Sequence, residues 1–448
     1  MAEPRRIAVF DVGKTSSKLT LLDGQTLSEI GSRRCSNVPL SGPPYPHLDT
    51  EAQWAFLCQG LAAFQAEHGV DAIAITTHGA TAALVMDSEL ATPVLDYEYP
   101  LPTNPAYARL RPDFAKTYSP ALPNGLNLGA QLYYLQQSVP DSFARAHHVL
   151  TYPQYWCWRL TGQARSERTS LGVHTDLWHP SENRFSDVVG KIFPGSLFPP
   201  LANPDDVFEL SATAADDTGL PAGLPVTCGI HDSNASLLPW LNVSGDLSVI
   251  STGTWCITMA LGGRLDGLDP SRDMLANIDA LGRPVPTARF MGGREFAMLC
   301  AGAEGPITPQ AISQVVDAGY MACPGTTGKT GPFPNGQGGW HGTEPPDHLK
   351  PAAATLYLAM MTETCLRLVN SGNKIVVEGP FGKNPMFGSV LAALGNRQVH
   401  VSGDATGTSL GAAMLISRSH PVVFGTAEIA PNLVGLPQYH DAWLTNCT

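Results

Sequence analysis

One structural device, written twice, constrains this chain more than any other feature. Ile7-Ala-Val-Phe is followed by Asp11-Val-Gly-Lys-Thr-Ser-Ser and then by Lys18-Leu-Thr-Leu-Leu-Asp. An apolar run, a short Gly/Ser/Thr segment and a second run alternating with period two predict strand, tight turn and strand. The pattern returns at Asp246-Leu-Ser-Val-Ile, Ser251-Thr-Gly-Thr and Trp255-Cys-Ile-Thr-Met. Two halves, each opened by a hairpin with a small polar tip, place a domain boundary near residues 239–245 and predict domains 1–240 and 241–448. A length of 448 residues agrees, because a single hydrophobic core stops growing well short of that size.

Between the hairpins, helix and strand signals alternate, which predicts an α/β architecture. Residues 51–68 carry Trp54, Leu57, Leu61 and Phe64 at helical spacing and lead into the buried-strand run Ala72-Ile-Ala-Ile-Thr. Residues 129–137 and 152–160 also read as helices. Prolines recur through 93–123, predicting an irregular excursion, and the Gly/Pro-rich stretch 323–346 reads as a long loop. A helix over 352–369, a strand over 374–378, a turn through Gly379-Pro-Phe-Gly-Lys-Asn, a strand near Val399 and a helix starting near Ser409 complete the chain.

The formal charge of −12 lacks the basic face that nucleic acid or an anionic membrane requires, so the expected partner is a small molecule. Nine cysteines, with no CxxC pair, read as reduced thiols in a cytoplasm. The first residues lack a secretory apolar stretch, and no run approaches the length of a membrane span. A homodimer is left open.

Gly13-Lys14-Thr15 invites a P-loop reading, but the required upstream glycine is Ala8 and a strand follows where a P-loop needs a helix. Gly328-Lys329-Thr330 fails in the same way, with Cys323 at the glycine position. The first tip can instead present backbone N–H groups, hydroxyls and two ammonium groups to phosphate oxygens, with Asp11 facing a metal; an ordinary solvated turn is the alternative. Gly229-Ile-His-Asp232 follows the apolar strand 224–228, and a carboxylate at a strand end can act as general base, or simply cap a helix. His231 reads as a substrate contact or a structural histidine. His78 and Gly79, at another strand end, could meet sugar hydroxyls. Gly379 and Gly382 could let backbone pass close to a flat adenine ring, or simply form a tight strand-to-helix turn. Gly407-Thr-Ser409-Leu-Gly411 matches the nucleophile elbow of α/β-hydrolases, with Glu428 and His440 as the remaining triad members, or else begins a closely packed helix.

Taken in chain order, these segments resemble the FGGY family of carbohydrate kinases, which share the fold of actin and hexokinase. Asp11 to Lys18 is similar to the family's first phosphate hairpin, Thr252-Gly-Thr254 to its second, Gly379 to Asn384 to its adenosine turn, and Leu410-Gly-Ala-Ala413 to the helix that follows; Leu160-Thr-Gly162 recurs in the middle. The resemblance implies two actin-like, ribonuclease H-like α/β domains with a cleft between them, closing over MgATP and a small sugar. It implies ATP binding by Gly13, Lys14, Thr15, Ser16, Lys18, Thr252, Gly253, Thr254, Gly379, Gly382, Lys383 and Asn384. Asp232 takes the place of the catalytic base, Asp11 and Asp232 face Mg²⁺, and His78, Gly79, His231 and Asp232 face the sugar. The pair His231-Asp232 resembles rhamnulose and fuculose kinases, which points to a ketose, first a 6-deoxy-ketose. The chain departs from the family pattern at Lys14, usually small, at Asp96-Tyr-Glu-Tyr, where an Asp/Arg-containing sugar strand is usual, and over 388–397, which lacks the usual Gln and Asp. An actin-like nucleotide-binding scaffold without kinase activity is the alternative reading, and a Ser409 hydrolase a third.

Overall fold

A computed structural model describes residues 4–243, 246–328, 330–402, 407–417, 425–426 and 433–447. The chain divides into two compact units. The first comprises Met1–Pro239, Ala276–Arg283 and Thr406–Pro421, and the second Trp240–Leu275, Pro284–Ala405 and Val422–Thr448. The cut thus falls at Pro239/Trp240, but two segments from the second half return to the first unit, where sequence reading placed a single clean boundary.

In the first unit, β1 (Arg6–Val12), β2 (Ser16–Asp23) and β3 (Glu29–Ser36) form an antiparallel meander, and α1 (Thr50–Glu67) leads to β4 (Ala72–Thr77). β4 lies parallel to β1, in register from Ile7↔Ala72 to Val12↔Thr77. After α2 (Tyr152–Thr161), the strands β5 (Val207–Glu209), β6 (Pro225–Thr227) and β7 (Ile230–His231) complete a sheet ordered β5-β6-β4-β1-β2-β3, with β7 also on β4.

The unbroken apolar run in β1 has a direct cause, since both faces of the sheet are covered. Ala8, Phe10 and Val12 pack with Leu57, Leu61 and Phe64 of α1 and Tyr155 and Trp156 of α2, while Ile7 and Val9 face Ala412 and Ala413. The Asp49 carboxylate starts α1 by accepting the Ala52 N–H at 2.9 Å. The short helix α3 (Asp232–Ala235) follows β7 directly.

The proline-rich stretch is less irregular than its composition predicts. Pro105–Leu110 and Phe114–Thr117 are short helices, because Asn104 caps Ala106 and Tyr107 at 3.0 and 3.2 Å and Pro105 occupies the first turn, where its missing N–H costs nothing.

The second unit opens with β8 (Leu247–Thr252) and β9 (Cys256–Leu261), paired from Leu247↔Leu261 to Thr252↔Cys256. It continues through β10 (Pro284–Phe290), α4 (Gly292–Cys300), α5 (Lys350–Leu368), β11 (Lys374–Glu378), α6 (Phe387–Gly395) and β12 (Gln398–Val401). The sheet runs β10, β9, β8, β11, β12 and Gly425–Thr426. α5 is buried almost all round, and its alanines let neighbouring elements approach while Tyr357, Leu358 and Met361 fill the core. The 323–346 stretch is a loop apart from a two-residue pairing of Met321–Ala322 with Trp340–His341.

The helix α7 (Gly407–Met414) belongs to the first unit, packed on β1, β4 and α3. A side-chain carbon at Gly411 would lie 1.8 Å from the Ala235 carbonyl oxygen, so only glycine permits this approach. Among the described residues, no helix is long and apolar enough to cross a membrane.

Candidate active site

In the first unit, one row across the sheet gathers charge. Asp11 pairs with Lys18 on β2, Lys18 with Arg34 on β3, Asp11 with Thr76 on β4, and Thr76 with Ile230 of β7. Directly paired residues project to the same face, and Asp232 follows Ile230 by two positions. Asp11 is deeply surrounded, and burial first, then the charge of Asp232, push its carboxyl up to about 7 against the pull of Lys18 and Arg34. The charge of Asp232 is thus felt at Asp11 across the ends of neighbouring strands.

Asp232 is the first residue of α3, with His231 in the capping position. Its Oδ1 accepts the Ser233 N–H at 2.6 Å and lies 3.2 Å from His231 Nε2. No described residue hydrogen-bonds Oδ2, and 32% of the side chain is exposed, enough to meet a ligand hydroxyl. His231 Nδ1 meets the Asn234 amide at 3.1 Å. A carbon on Gly79 would lie 2.7 Å from His231 Nε2, so Gly79 makes room for the imidazole and leaves its own backbone bare. His78 bonds the Gly79 carbonyl through Nδ1 at 2.9 Å and packs between the rings of Tyr97 and Tyr152. Burial holds both histidines below the usual imidazole range, while the charge of Asp232 pulls each the other way.

Two supports were not read from the sequence. Glu167 is fully buried and accepts the N–H and hydroxyl groups of Thr169 and Ser170, and the Thr169 hydroxyl in turn accepts the His231 N–H at 3.2 Å. Burial raises the Glu167 acid to about 7. Asn37 braces the first tip, donating to the Gly13 carbonyl at 2.7 Å and accepting from the Ser17 hydroxyl at 2.9 Å. The only sequence signal for Glu167 was a glutamate followed by two hydroxyl residues in three positions, a common capping pattern; Asn37 left none.

The tip is a hairpin rather than a P-loop, and several of the groups expected to meet phosphate have partners within the protein. The Gly13 N–H is used within the turn, on Ser16 O at 2.9 Å. Lys18 pairs with Glu29 at 3.2 Å. Lys14 turns to the 96–98 segment, in an ion pair with Asp96, 3.7 Å from Glu98 and over the Tyr97 ring at 5.2 Å. Thr15 and Ser16 remain exposed at the tip.

In the second unit, the Thr252 hydroxyl donates to the Glu378 carbonyl and accepts the Phe381 N–H at 3.1 Å. Thr252 is therefore a staple between hairpin and turn, whereas Gly253 and the exposed Thr254 form the open tip. Gly379 has φ +84° and ψ −162°, a region open to glycine alone, and a side-chain carbon there would lie 2.1 Å from Thr252 O. Gly382 and exposed Lys383 lie in the following turn. Asn384 is committed elsewhere: its Nδ2 donates to Thr355 at 2.9 Å and its Oδ1 accepts from Met386 and Phe387 at the start of α6. Glu378 is buried and accepts the Trp240 indole N–H at 2.9 Å, and burial raises its acid to about 7.

The hydrolase reading loses its nucleophile. Ser409 is 2% exposed on the third residue of α7, not at a strand-to-helix apex. Glu428 lies outside the described residues, and His440 is buried beside Trp443 on helix Leu436–Asn446.

Comparisons with known proteins identify the family. The N-terminal domain of the FGGY family of carbohydrate kinases matches residues 121–239, and the C-terminal domain of carbohydrate kinase FGGY matches residues 244–423. The crystal structure of a carbohydrate kinase from Novosphingobium aromaticivorans superposes with a TM-score of 0.90 at 35% identity, covering 99% of each chain. Xylulose kinase from Rhodospirillum rubrum superposes with a TM-score of 0.77 over 98% of each chain at 17% identity, a likeness of fold alone. The L-fuculokinase of Salmonella typhi is 25% identical over 277 residues, 58% of this chain and 57% of that protein, so the chain matches little more than half of its curated relative's length. With both halves matched in order and a solved relative aligned along the whole length, the chain belongs to the FGGY family of carbohydrate kinases, with their two-domain actin-like α/β fold.

Proposed function

We propose that this protein is an ATP-dependent carbohydrate kinase that transfers the terminal phosphoryl group of MgATP to a hydroxyl of a small sugar, with a ketose, first a 6-deoxy-ketose, as acceptor. The observation that carries the reading is the acidic pair at the C-terminal ends of strands in one sheet: Asp11 near the end of β1, raised to about 7 by burial and by Asp232, and Asp232 itself just after β7 at the start of α3. In this mechanism Asp232 orients the attacking hydroxyl and takes its proton on Oδ2, the oxygen left open while Ser233 and His231 hold Oδ1. His78, Gly79 and His231 bound the acceptor side. The exposed groups of Thr15, Ser16, Thr254 and Lys383 are the ones offered to the nucleotide, while the Gly253 N–H is used within its turn on Trp255 O at 2.9 Å.

The donor set fits magnesium. Asp11 and Asp232 offer hard carboxylate oxygens, and the described residues contain no cluster of three or more His, Cys, Asp or Glu. That suits an ion held by one or two carboxylates plus phosphate oxygens rather than by a protein cage. Bound Mg²⁺ would neutralise phosphate charge and return Asp11 to its ionised form. A reducing cytoplasmic setting belongs to the same proposal, supported by nine unpaired thiols.

The test is a coupled ADP-release screen over ketoses, polyols and aldoses with the wild-type protein and Asp232→Asn. The substitution is expected to lower kcat by roughly 10²- to 10⁴-fold while MgATP still binds. Undiminished turnover in the variant would remove Asp232 from its role. Sugar-independent ATP hydrolysis alone, across the whole panel, would favour the nucleotide-binding scaffold.

A further inference from the structure

Lys14 sits on the tip of a hairpin that reads as a phosphate binder, yet its ammonium does not serve the tip. It lies against a segment some eighty positions onward, paired with Asp96 and stacked over Tyr97 at 5.2 Å, with 13% of its side chain exposed. Asp96 is itself only 7% exposed, and its Oδ1 is filled by Lys14 and by the Glu98 N–H at 3.0 Å. No hydrogen bond from a described residue reaches Asp96 Oδ2, Tyr97 OH or His78 Nε2. None of these three atoms is a sealed, partnerless buried group. The Tyr97 ring continues the contact to His78 at 5.3 Å, and His78 is followed by Gly79, against which His231 packs.

An ion pair with spare donors and acceptors, beside an aromatic face and an open imidazole nitrogen, is chemistry suited to vicinal hydroxyls on an apolar ring edge. It does not suit a carboxylate. Asp96, Glu98 and Asp232 outnumber the single ammonium, and Lys14 is already neutralised by its partner.

We propose that Lys14 is a specificity-determining residue of the acceptor site, where with Asp96 and Tyr97 it recognises hydroxyls of an uncharged sugar and disfavours sugar acids, rather than binding ATP phosphates. The inference rests on the kinase reading above and names the acceptor class.

Its test uses the full chain, a neutral ketose panel and the matching sugar acids, with KM for acceptor and for MgATP measured separately. Lys14→Met should raise the acceptor KM by about tenfold or more, with the MgATP KM moving less than about twofold. Lys14→Arg should recover part of that loss. Asp96→Asn, which frees the ammonium, should shift kcat/KM towards the carboxylate-bearing acceptors. A raised MgATP KM with an unchanged acceptor KM would overturn the inference, as would an acceptor ranking that survives both Lys14→Met and Asp96→Asn. If the wild type phosphorylates no sugar, the kinase reading falls and takes this one with it; if the wild type is active and only the ranking is unmoved, this inference falls alone.

Discussion

The two hairpins begin alike and are finished differently. The first carries its polar groups as charge: Asp11, Lys18 and Arg34 stand in one cross-strand row, Lys14 reaches out to Asp96, and Asn37 braces the tip from β3's far end. The second carries no ionised side chain at its tip, and its last strand residue, Thr252, is stapled to the glycine turn after β11. The same backbone device is thus tuned once for electrostatics and once for shape. In the first, substitutions should act mainly on chemistry; in the second, on the folding of the turn.

The largest effect that would break this contrast belongs to the second hairpin. Gly379→Val puts a branched side chain at φ +84° and against Thr252 O, and is expected to cost about 3 kcal/mol or more of stability. Urea titration measures it, and a loss under about 1 kcal/mol would mean that the turn can rearrange and the staple is not rigid.

Next comes the buried Glu378 beside that turn. Its acid is raised from 4.5 to about 7, so the stabilising contribution is full below the unfolded value and is lost as pH rises through about 7. Glu378→Gln cannot ionise and should become the more stable protein as pH climbs from about 5 to about 8.5, gaining up to ~3 kcal/mol relative to wild type. Thermal melts that show parallel pH profiles for the two proteins would reject the shift.

The smallest effect sharpens the first hairpin. Asn37→Ala removes the bonds to Gly13 O and Ser17 Oγ and should cost about 1–2 kcal/mol, read by the same titration. Loss of kinase turnover well beyond that loss of stability would show that the tip's shape, as well as its charge, serves the reaction.

Much of the fold was legible because its signals are local. β1, β2, β8 and β9 declare themselves by alternation around Gly/Ser/Thr turns, and α1 and α5 by spacing and length. Pro105 was misread because a proline that breaks a helix interior is equally suited to a first turn, and only the Asn104 cap decides which. In the candidate site, Asp11, His78, Gly79, His231 and Asp232 stand at or just after strand ends, which the sequence pattern shows. Thr252, Asn384 and Lys14 could be named as polar but not assigned a partner, since their bonds run to Glu378, Thr355 and Asp96.

From its order of residues alone, this chain determined two hairpin-led α/β halves and the acids that stand at their strand ends, because alternation, turn chemistry and strand termini are properties of a few neighbouring positions. Tertiary structure alone decided that α7 returns to the first unit, that Asp11 feels Asp232, and that Lys14 faces Asp96 rather than its own tip. The physical reason is that burial, charge coupling and close approach depend on distance in space, and residues separated by tens to hundreds of positions carry no local record of it.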